Sequence, residues 1–199
     1  MKTIKLLIAG LLALSPALHA GVETGAKAPD FTLTDTTGTE HSLSDFAGKF
    51  IVLEWTNHLC PFVVKHYQDG HMQALQEKMT DEGVVWLQVI SSAPGKQGYL
   101  EPEAAEKLRS ENGHASTAML LDPTGEVGKK YDARTTPHMY LISPEGVLVY
   151  QGAIDSIKSV KTSDIPEAKN YLVAAYESVT AGEAVEDATT TPYGCSVKY

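Results

Sequence analysis

Apolar runs separated by polar turns divide this sequence into short strands and longer helices. Two continuous apolar runs, at 50–55 and 84–90, have the length of strands. They lack polar alternation, which is typical of strands buried on both faces of a sheet. Shorter extended pieces are predicted at 31–33, 41–43 and 118–121. A hairpin is predicted where 139–142 and 147–150 flank the turn Ser143-Pro144-Glu145-Gly146.

Helical periodicity occupies most of the chain between these strands. Pro61 suits a first helical turn, and the stretch from it to about residue 82 is predicted to be one long helix. The residues near one face of that helix are Phe62, His66, Met72, Leu75 and Met79. Further helices are predicted at 101–112, just before Tyr131, and from Pro166 to about residue 180. Strands alternating with helices in this order predict an α/β sandwich around a mixed sheet.

The first twenty residues have the pattern of a secretory signal. Lys2 and Lys5 precede an apolar run at 6–14, and the small residues Ala17 and Ala20 follow it. The run is too short to span a membrane, and no later stretch is long enough. We therefore expect a periplasmic or secreted product without a membrane span. Its predicted parts are a signal at 1–20, one domain at 21–181 and a polar tail at 182–199.

Composition and charge exclude several classes of protein. The chain has 199 residues, of which 43% are hydrophobic, so it is long and apolar enough for one well-buried core. Its formal net charge is −9 and it has no basic stripe, which argues against a nucleic-acid partner. Its two cysteines exclude a multi-disulfide scaffold, a four-thiolate zinc site and an iron–sulfur cluster. No cofactor and no metal is predicted.

Cys60 is the first candidate for chemistry, because it falls between the first central strand and the following helix. Reactive groups in open α/β sheets lie at the carboxyl ends of parallel strands. A thiol at a helix N-terminus also faces unpaired N–H groups, which favour the thiolate. The alternative is a buried, inert cysteine that ends a strand.

Four features in sequence order carry a resemblance to a known family. They are Ala28-Pro-Asp-Phe31, Leu53-Glu-Trp-Thr-Asn-His-Leu-Cys-Pro61, Thr136-Pro137 and Pro144-Glu-Gly146. Together they resemble the redoxin, or peroxiredoxin-type, branch of the thioredoxin-like superfamily, from about residue 21 to 180. The resemblance implies a thioredoxin-like three-layer sandwich with a central mixed β-sheet.

The resemblance also implies roles for individual residues. Cys60 matches the first cysteine of the Cys-x-x-Cys motif, whereas Val63 replaces the second, so no local two-cysteine cycle is possible. Glu54 stands where thioredoxins carry a buried acid, which implies a general base; the alternative is a glutamate facing water. Thr136 and Pro137 match the cis-proline loop, where the backbone pairs with an extended thiol substrate.

Peroxide chemistry is implied less strongly. Arg134 lies near the proline loop and is expected to stabilise a thiolate or polarise a peroxide, as an arginine does in peroxiredoxins; the alternative is a solvated turn charge. Peroxiredoxins carry a Thr or Ser three residues before the cysteine, and Asn57 stands there instead, either to bind a peroxide or to form a turn. Leu53 replaces the usual proline. These departures argue against fast peroxide reduction.

The polar tail carries Cys195 between aromatic residues, and similar endings occur in redoxins with a single Cys-Pro-Phe site. By analogy with two-cysteine peroxiredoxins, Cys195 is expected to resolve an oxidised Cys60. The alternative is a permanent Cys60–Cys195 disulfide with a structural role. The predicted function is an exported, antioxidant thiol oxidoreductase. Its substrate would be a peroxide or a protein disulfide, and its electron donor an envelope protein or a small thiol.

Two other classes of function remain open. Copper handling by a thioredoxin-like protein would use imidazoles near the thiolate. The candidate histidines are His58, His66, His71 and His138. A non-catalytic exported domain, held by the structural disulfide, is the other alternative.

Overall fold

A computed structural model describes residues 21–199, so the predicted signal at 1–20 lies outside the described residues. Seven strands form one sheet in the order β2-β1-β5-β4-β3-β7-β8, and β6 pairs with β9 in a separate two-stranded sheet. The strands are β1 (Thr32–Asp35), β2 (Glu40–Ser42), β3 (Ile51–Trp55), β4 (Val85–Ile90), β5 (Ala118–Leu121), β6 (Thr135–Thr136), β7 (His138–Ile142), β8 (Leu148–Gly152) and β9 (Cys195–Ser196).

The large sheet is mixed, as the sequence predicts. The central strand β3 runs parallel to β4 and antiparallel to β7, while β4 runs parallel to β5. The helices are α1 (Pro61–Tyr67), α2 (His71–Asp81), α3 (Pro102–Glu111), α4 (Glu126–Lys130) and α5 (Tyr171–Thr180). Because β3 lies inside the sheet, the residues that follow it are held firmly at the sheet's carboxyl edge.

Both faces of the sheet are apolar, which explains the unbroken apolar runs of β3 and β4. Leu53 and Trp55 pack on one face with Val127 of α4. Val52 packs on the other face with residues of α2 and α5. Helices therefore lie on both sides of the sheet, and the predicted three-layer α/β architecture is confirmed.

Two helix boundaries differ from the predicted ones. The stretch predicted as one helix from Pro61 to about residue 82 is two helices, separated by a turn at Gly70 with φ of +78°. Glycine adopts this left-handed conformation without a steric penalty. The last helix begins at Tyr171 rather than Pro166, because the Asn170 side chain accepts a hydrogen bond from the Val173 N–H at 3.0 Å.

The tail has no apolar periodicity, yet the structure orders it. Cys195 pairs with Thr136, and Ser196 pairs with Thr135. The sequence suggests that tethering alone would order this segment, but Tyr193 is also buried in the core on the α5 side. Strand pairing and burial together therefore hold the tail across the end of β3. Across residues 21–199, no helix has both the length and the apolar character to cross a membrane.

Candidate active site

Cys60 caps the N-terminus of α1 directly after the turn that follows β3. Its backbone is extended, with φ of −80° and ψ of 121°, and Pro61 is the first helical residue. The Cys60 carbonyl accepts the N–H groups of Val63 and Val64, both at 2.9 Å. The side chain of Cys60 is fully buried. The thiol therefore lies at the positive end of a helix, where a thiolate is favoured.

The proline loop lies against the Cys60 sulfur. The Thr136–Pro137 peptide bond is cis, and the Thr136 carbonyl oxygen lies 3.0 Å from Cys60 Sγ. The Thr136 hydroxyl is buried and has no hydrogen-bond partner among the residues that the structure describes. Residues 76 positions apart in the sequence thus form one wall of the site.

The tail brings Cys195 to the same sulfur. The backbone N–H of Cys195 donates to Cys60 Sγ at 3.4 Å, although the two residues are 135 positions apart in the sequence. Both cysteines are free thiols in the structure, and Cys195 is partly exposed whereas Cys60 is buried. The two predicted thiols therefore share one site.

The two thiols have opposite pKa shifts. Burial opposes ionisation of Cys60. Hydrogen bonding from the Cys195 thiol and from the backbone N–H groups of Cys195 and Val63 outweighs it, so the Cys60 pKa is lowered overall. Burial raises the pKa of Cys195 to about 11, and interaction with Cys60 adds to the rise. Cys60 is therefore the more acidic thiol of the pair, and Cys195 is the less acidic one.

Glu54 is fully buried, which excludes the alternative of a glutamate facing water. Its carboxylate accepts the Tyr67 hydroxyl at 2.6 Å, the Trp86 indole N–H at 2.9 Å and the Gln76 amide at 3.3 Å. Burial raises the pKa of Glu54 in spite of these three donors. These donors lie at the end of α1, on α2 and on β4, and no hydrogen bond joins Glu54 to Cys60 in the described part of the chain.

Asn57 and Arg134, two residues considered for peroxide binding, have other contacts. The Asn57 side-chain oxygen accepts the Leu59 N–H at 2.9 Å, and its amide donates to the Gln97 carbonyl at 3.3 Å, so it forms the turn before Cys60. The guanidinium of Arg134 is largely exposed and bonds the carboxylate of Asp132. Neither side chain makes a hydrogen bond to Cys60 in the described part of the chain.

The four histidines considered for copper binding do not meet at one point. His66 and His71 line one cavity beside Asp155, His58 lines another cavity, and His138 follows the cis-proline with its ring against the Arg134 N–H. Within residues 21–199, no group of three or more His, Cys, Asp or Glu side chains is arranged to hold a metal ion. The geometry thus gives no support to copper handling.

A buried ionic cluster behind the site was not identified from the sequence. Lys65 of α1 is fully buried, and its ammonium lies 2.9 Å from the carboxylate of Asp155. The Tyr193 hydroxyl donates to the same carboxylate, and His66 Nε2 lies 3.6 Å from it. The cluster therefore connects α1 to the tail two residues before Cys195. Two features of the sequence could have indicated this cluster: a lysine that follows apolar helix residues, and a tyrosine in an otherwise polar tail.

His138, directly after the proline, predicts a loss of stability in acid. The Arg134 backbone N–H lies 3.3 Å from His138 Nδ1, and because a backbone N–H can only donate, Nδ1 must be unprotonated. Burial lowers the pKa of His138 to about 3, compared with about 6.5 in the unfolded chain. Below pH 6.5 the unfolded chain therefore binds a proton at this histidine that the folded chain does not bind. The free energy of unfolding has its full value above pH 6.5 and falls as the pH drops towards 3.

Because of His138, we expect the free energy of unfolding to be about 2 kcal/mol lower at pH 5 than at pH 7. Urea unfolding at the two pH values measures this loss. In the matched variant His138→Asn, the amide oxygen can accept from the same N–H but does not titrate, so the loss between the two pH values should be smaller. An equal loss in both proteins would contradict this origin.

A cysteine at the N-terminus of a helix, facing a cis-proline loop at the end of a central strand, defines a thioredoxin-like thiol protein. The chain belongs to the AhpC/TSA family, whose model matches residues 24–151. The predicted redoxin membership is thereby confirmed.

Similar proteins and structures agree with this assignment. The thiol-disulfide oxidoreductase ResA of Geobacillus kaustophilus is 28% identical over 125 residues, which cover 63% of this chain and 66% of ResA. The match thus spans just under two thirds of that relative's length. An uncharacterized conserved protein from Geobacillus kaustophilus matches with 27% identity and a TM-score of 0.74, over 89% of this chain and 92% of its own. A hypothetical protein from Sinorhizobium meliloti 1021 shares the fold at 24% identity, with a TM-score of 0.75 over 90% and 96% of the two chains.

Proposed function

We propose that this protein is an exported thiol–disulfide oxidoreductase in which Cys60 is the nucleophile and Cys195 the resolving thiol. The observation that carries the proposal is the convergence of both cysteines on one buried point, with the Cys195 N–H 3.4 Å from Cys60 Sγ. The similarity to ResA, a thiol-disulfide oxidoreductase, supports the reaction class. The signal pattern at 1–20 supports export.

The reaction has two exchange steps. The Cys60 thiolate attacks one sulfur of a substrate disulfide, forms a mixed disulfide with it and releases the other sulfur as a thiolate. Cys195 then loses its proton and attacks Cys60 Sγ, which releases the second substrate thiolate and forms a Cys60–Cys195 disulfide. The substrate gains two electrons and the protein loses two. A dithiol protein of the envelope, or two molecules of a small thiol, returns them by the same exchange.

The opposite pKa shifts of the two thiols fit this order of events. Cys60 is the better nucleophile towards substrate because its pKa is lowered, whereas Cys195 stays protonated with a pKa of about 11. Once Cys60 is in a mixed disulfide it can no longer ionise. Its contribution to the raised Cys195 pKa is then gone, although the effect of burial remains, so Cys195 ionises more easily than before. Resolution is thereby delayed until the first step is complete.

Peroxide reduction is less well supported than disulfide exchange. A peroxide needs hydrogen-bond donors close to the attacking sulfur. The Asn57 amide is used by the turn, and Arg134 bonds Asp132. We therefore expect the reduced protein to react faster with a peptide mixed disulfide of thionitrobenzoate than with hydrogen peroxide at the same concentration. A faster reaction with peroxide would overturn this part of the proposal.

The variant Cys195→Ser tests the resolving step. Its Cys60 should still release thionitrobenzoate from the peptide mixed disulfide, but the peptide should remain attached to Cys60 because no second thiol displaces it. Mass spectrometry should show the peptide adduct on nearly every chain, whereas the wild type should show the loss of two hydrogen atoms, as expected for an internal disulfide, and no adduct. Complete turnover in the variant would contradict a resolving role. Lower thermal stability without any reaction of wild-type Cys60 would indicate a structural disulfide instead.

A further inference from the structure

The tail that carries Cys195 also covers Cys60. Strand β9 is the partner of β6 in a two-stranded sheet, with Cys195 opposite Thr136 and Ser196 opposite Thr135. Cys60 lies beneath this pair with its side chain fully buried. A substrate disulfide must bring one sulfur to within bonding distance of Cys60 Sγ. The tail and a substrate therefore cannot both occupy the space above Cys60.

Contacts on both sides of Cys195 hold the tail in this position. The Tyr193 hydroxyl bonds Asp155 before it. After it, the Val197 N–H donates to the Arg134 carbonyl at 3.0 Å and the Tyr199 hydroxyl to the Ala133 carbonyl at 2.7 Å. Before the docked segment, the Gln151 N–H donates to the Ala188 carbonyl at 3.1 Å and the Thr190 N–H donates to the Gln151 carbonyl at 3.0 Å, so the chain up to residue 190 is fixed on β8. The part that can undock without disturbing the core is therefore the segment that follows the exposed Thr191.

The closest approach in the docked tail is at Gly194. A Cβ added there would lie 2.0 Å from the Thr136 carbonyl oxygen and 2.7 Å from the Thr136 carbonyl carbon, and both are backbone atoms. The same carbonyl oxygen lies 3.0 Å from Cys60 Sγ. Gly194 also has φ of +146°, a backbone conformation that side chains other than hydrogen rarely adopt. Only glycine lets the tail come close enough to place Cys195 at Cys60.

We propose that Gly194 is a positioning residue that sets the balance between a docked tail, which covers Cys60 and delivers Cys195, and an undocked tail, which admits substrate. The inference rests on the function proposed above. The undocked state favours attack of Cys60 on the substrate disulfide, and the docked state favours attack of Cys195 on the mixed disulfide. Undocking also frees the backbone groups of Thr135 and Thr136, an unpaired edge on which an extended polypeptide can pair.

The variant Gly194→Ala tests the proposal, because the added Cβ opposes docking while both thiols remain. We expect Cys60 to be alkylated by iodoacetamide about tenfold faster, and thionitrobenzoate release to be faster too. Formation of the Cys60–Cys195 disulfide should be about tenfold slower. A general structural lesion would slow both exchange steps, so opposite changes in the two rates identify the positioning role.

Gly182→Ala is the matched control, because Gly182 also has a positive φ, of +75°, but no atom lies within 4 Å of an added Cβ. Its two exchange rates and its alkylation rate should stay within about twofold of wild type. If Gly194→Ala gives the same three rates as Gly182→Ala, the inference is wrong even though disulfide exchange stands. If wild-type Cys60 never reacts with the mixed disulfide, the proposed function fails, and the alkylation rates alone decide whether Gly194 controls docking.

Tyr193→Phe provides a second route to the same state if Gly194→Ala does not fold. It removes only the hydroxyl that bonds Asp155, and so weakens docking from the other end of the segment. We expect the same signs, with faster alkylation of Cys60 and slower disulfide formation. Unchanged rates in this variant would count against control by tail docking.

Discussion

Replacing Cys60 with serine should abolish disulfide exchange while the fold is retained. A serine hydroxyl can donate to the Thr136 carbonyl as the thiol does, across a contact of 3.0 Å, and it is slightly smaller than the thiol, so the buried site accepts it. Unlike the thiol, the hydroxyl cannot form a disulfide, so it cannot attack the sulfur of a substrate disulfide. Thionitrobenzoate release should fall below about 1% of the wild-type rate.

The residual rate would come from Cys195, and this can be measured separately. The double variant Cys60→Ser/Cys195→Ser should lose the remaining activity as well. Its circular dichroism spectrum and its thermal midpoint should be close to those of Cys60→Ser. If Cys60→Ser keeps more than about a tenth of the wild-type rate, the assignment of Cys60 as nucleophile fails. If both variants unfold at room temperature, Cys60→Ala at the same position repeats the test with a residue that needs no hydrogen bond.

The sheet was predictable because its strands have a simple composition. The range 118–121 predicted for a strand coincides with β5, and the apolar run at 50–55 contains all of β3, since these strands bury both faces. The break at Gly70 could not be read in the same way. Met72 and Met79 continue the apolar periodicity after the turn, and both are buried, so the pattern alone does not show that the helix axis changes.

The candidate site was predictable only in part. The position of Cys60 at a helix N-terminus follows from the order of strand and helix, and the proline loop follows from the family resemblance. The ion pair between Lys65 and Asp155 joins residues 90 positions apart, so local patterns carry no trace of it. The fit at Gly194 depends on the approach of two backbone segments. Such contacts are properties of the tertiary structure and become visible only there.

The buried ion pair leads to the largest expected loss of stability. The carboxylate of Asp155 receives the Lys65 ammonium at 2.9 Å, and Lys65 also donates to the Ile157 carbonyl at 3.2 Å. In Lys65→Met, the aliphatic stem remains but the charge is lost, which leaves Asp155 as a buried carboxylate without its cation. We expect the free energy of unfolding at pH 7 to fall by about 3–5 kcal/mol. Urea unfolding followed by fluorescence measures the change.

Two comparisons separate the ion pair from a general effect of losing a lysine. In Lys107→Met, which removes the cation of an exposed pair with Glu111, the loss should stay below about 1 kcal/mol. In the double variant Lys65→Met/Asp155→Leu, no buried charge remains uncompensated, so part of the stability should return although Tyr193 loses its acceptor. A loss in Lys65→Met no larger than that in Lys107→Met would contradict the argument.

Lys65→Met should also change the titration of His66, and this second measurement links the ion pair to the tail. Burial lowers the pKa of His66 to about 4; the nearby Asp155 opposes that shift, and the positive charge of Lys65 adds to it. Without Lys65, His66 becomes the nearest source of positive charge for Asp155, so its pKa should rise. A folded-state pKa that has moved up towards 6.5 means that the variant regains stability, relative to wild type, as pH falls from 7 to 5. The Lys65 ammonium also lies 5.9 Å from the centroid of the Tyr193 ring, so the variant loses a cation–π contact with the tail, and iodoacetamide should alkylate Cys60 faster in this variant at pH 7. The pKa of His66 is measured by NMR titration. If the pKa and the alkylation rate are both unchanged in the variant, the ion pair affects neither the histidine nor the tail, and the argument is wrong.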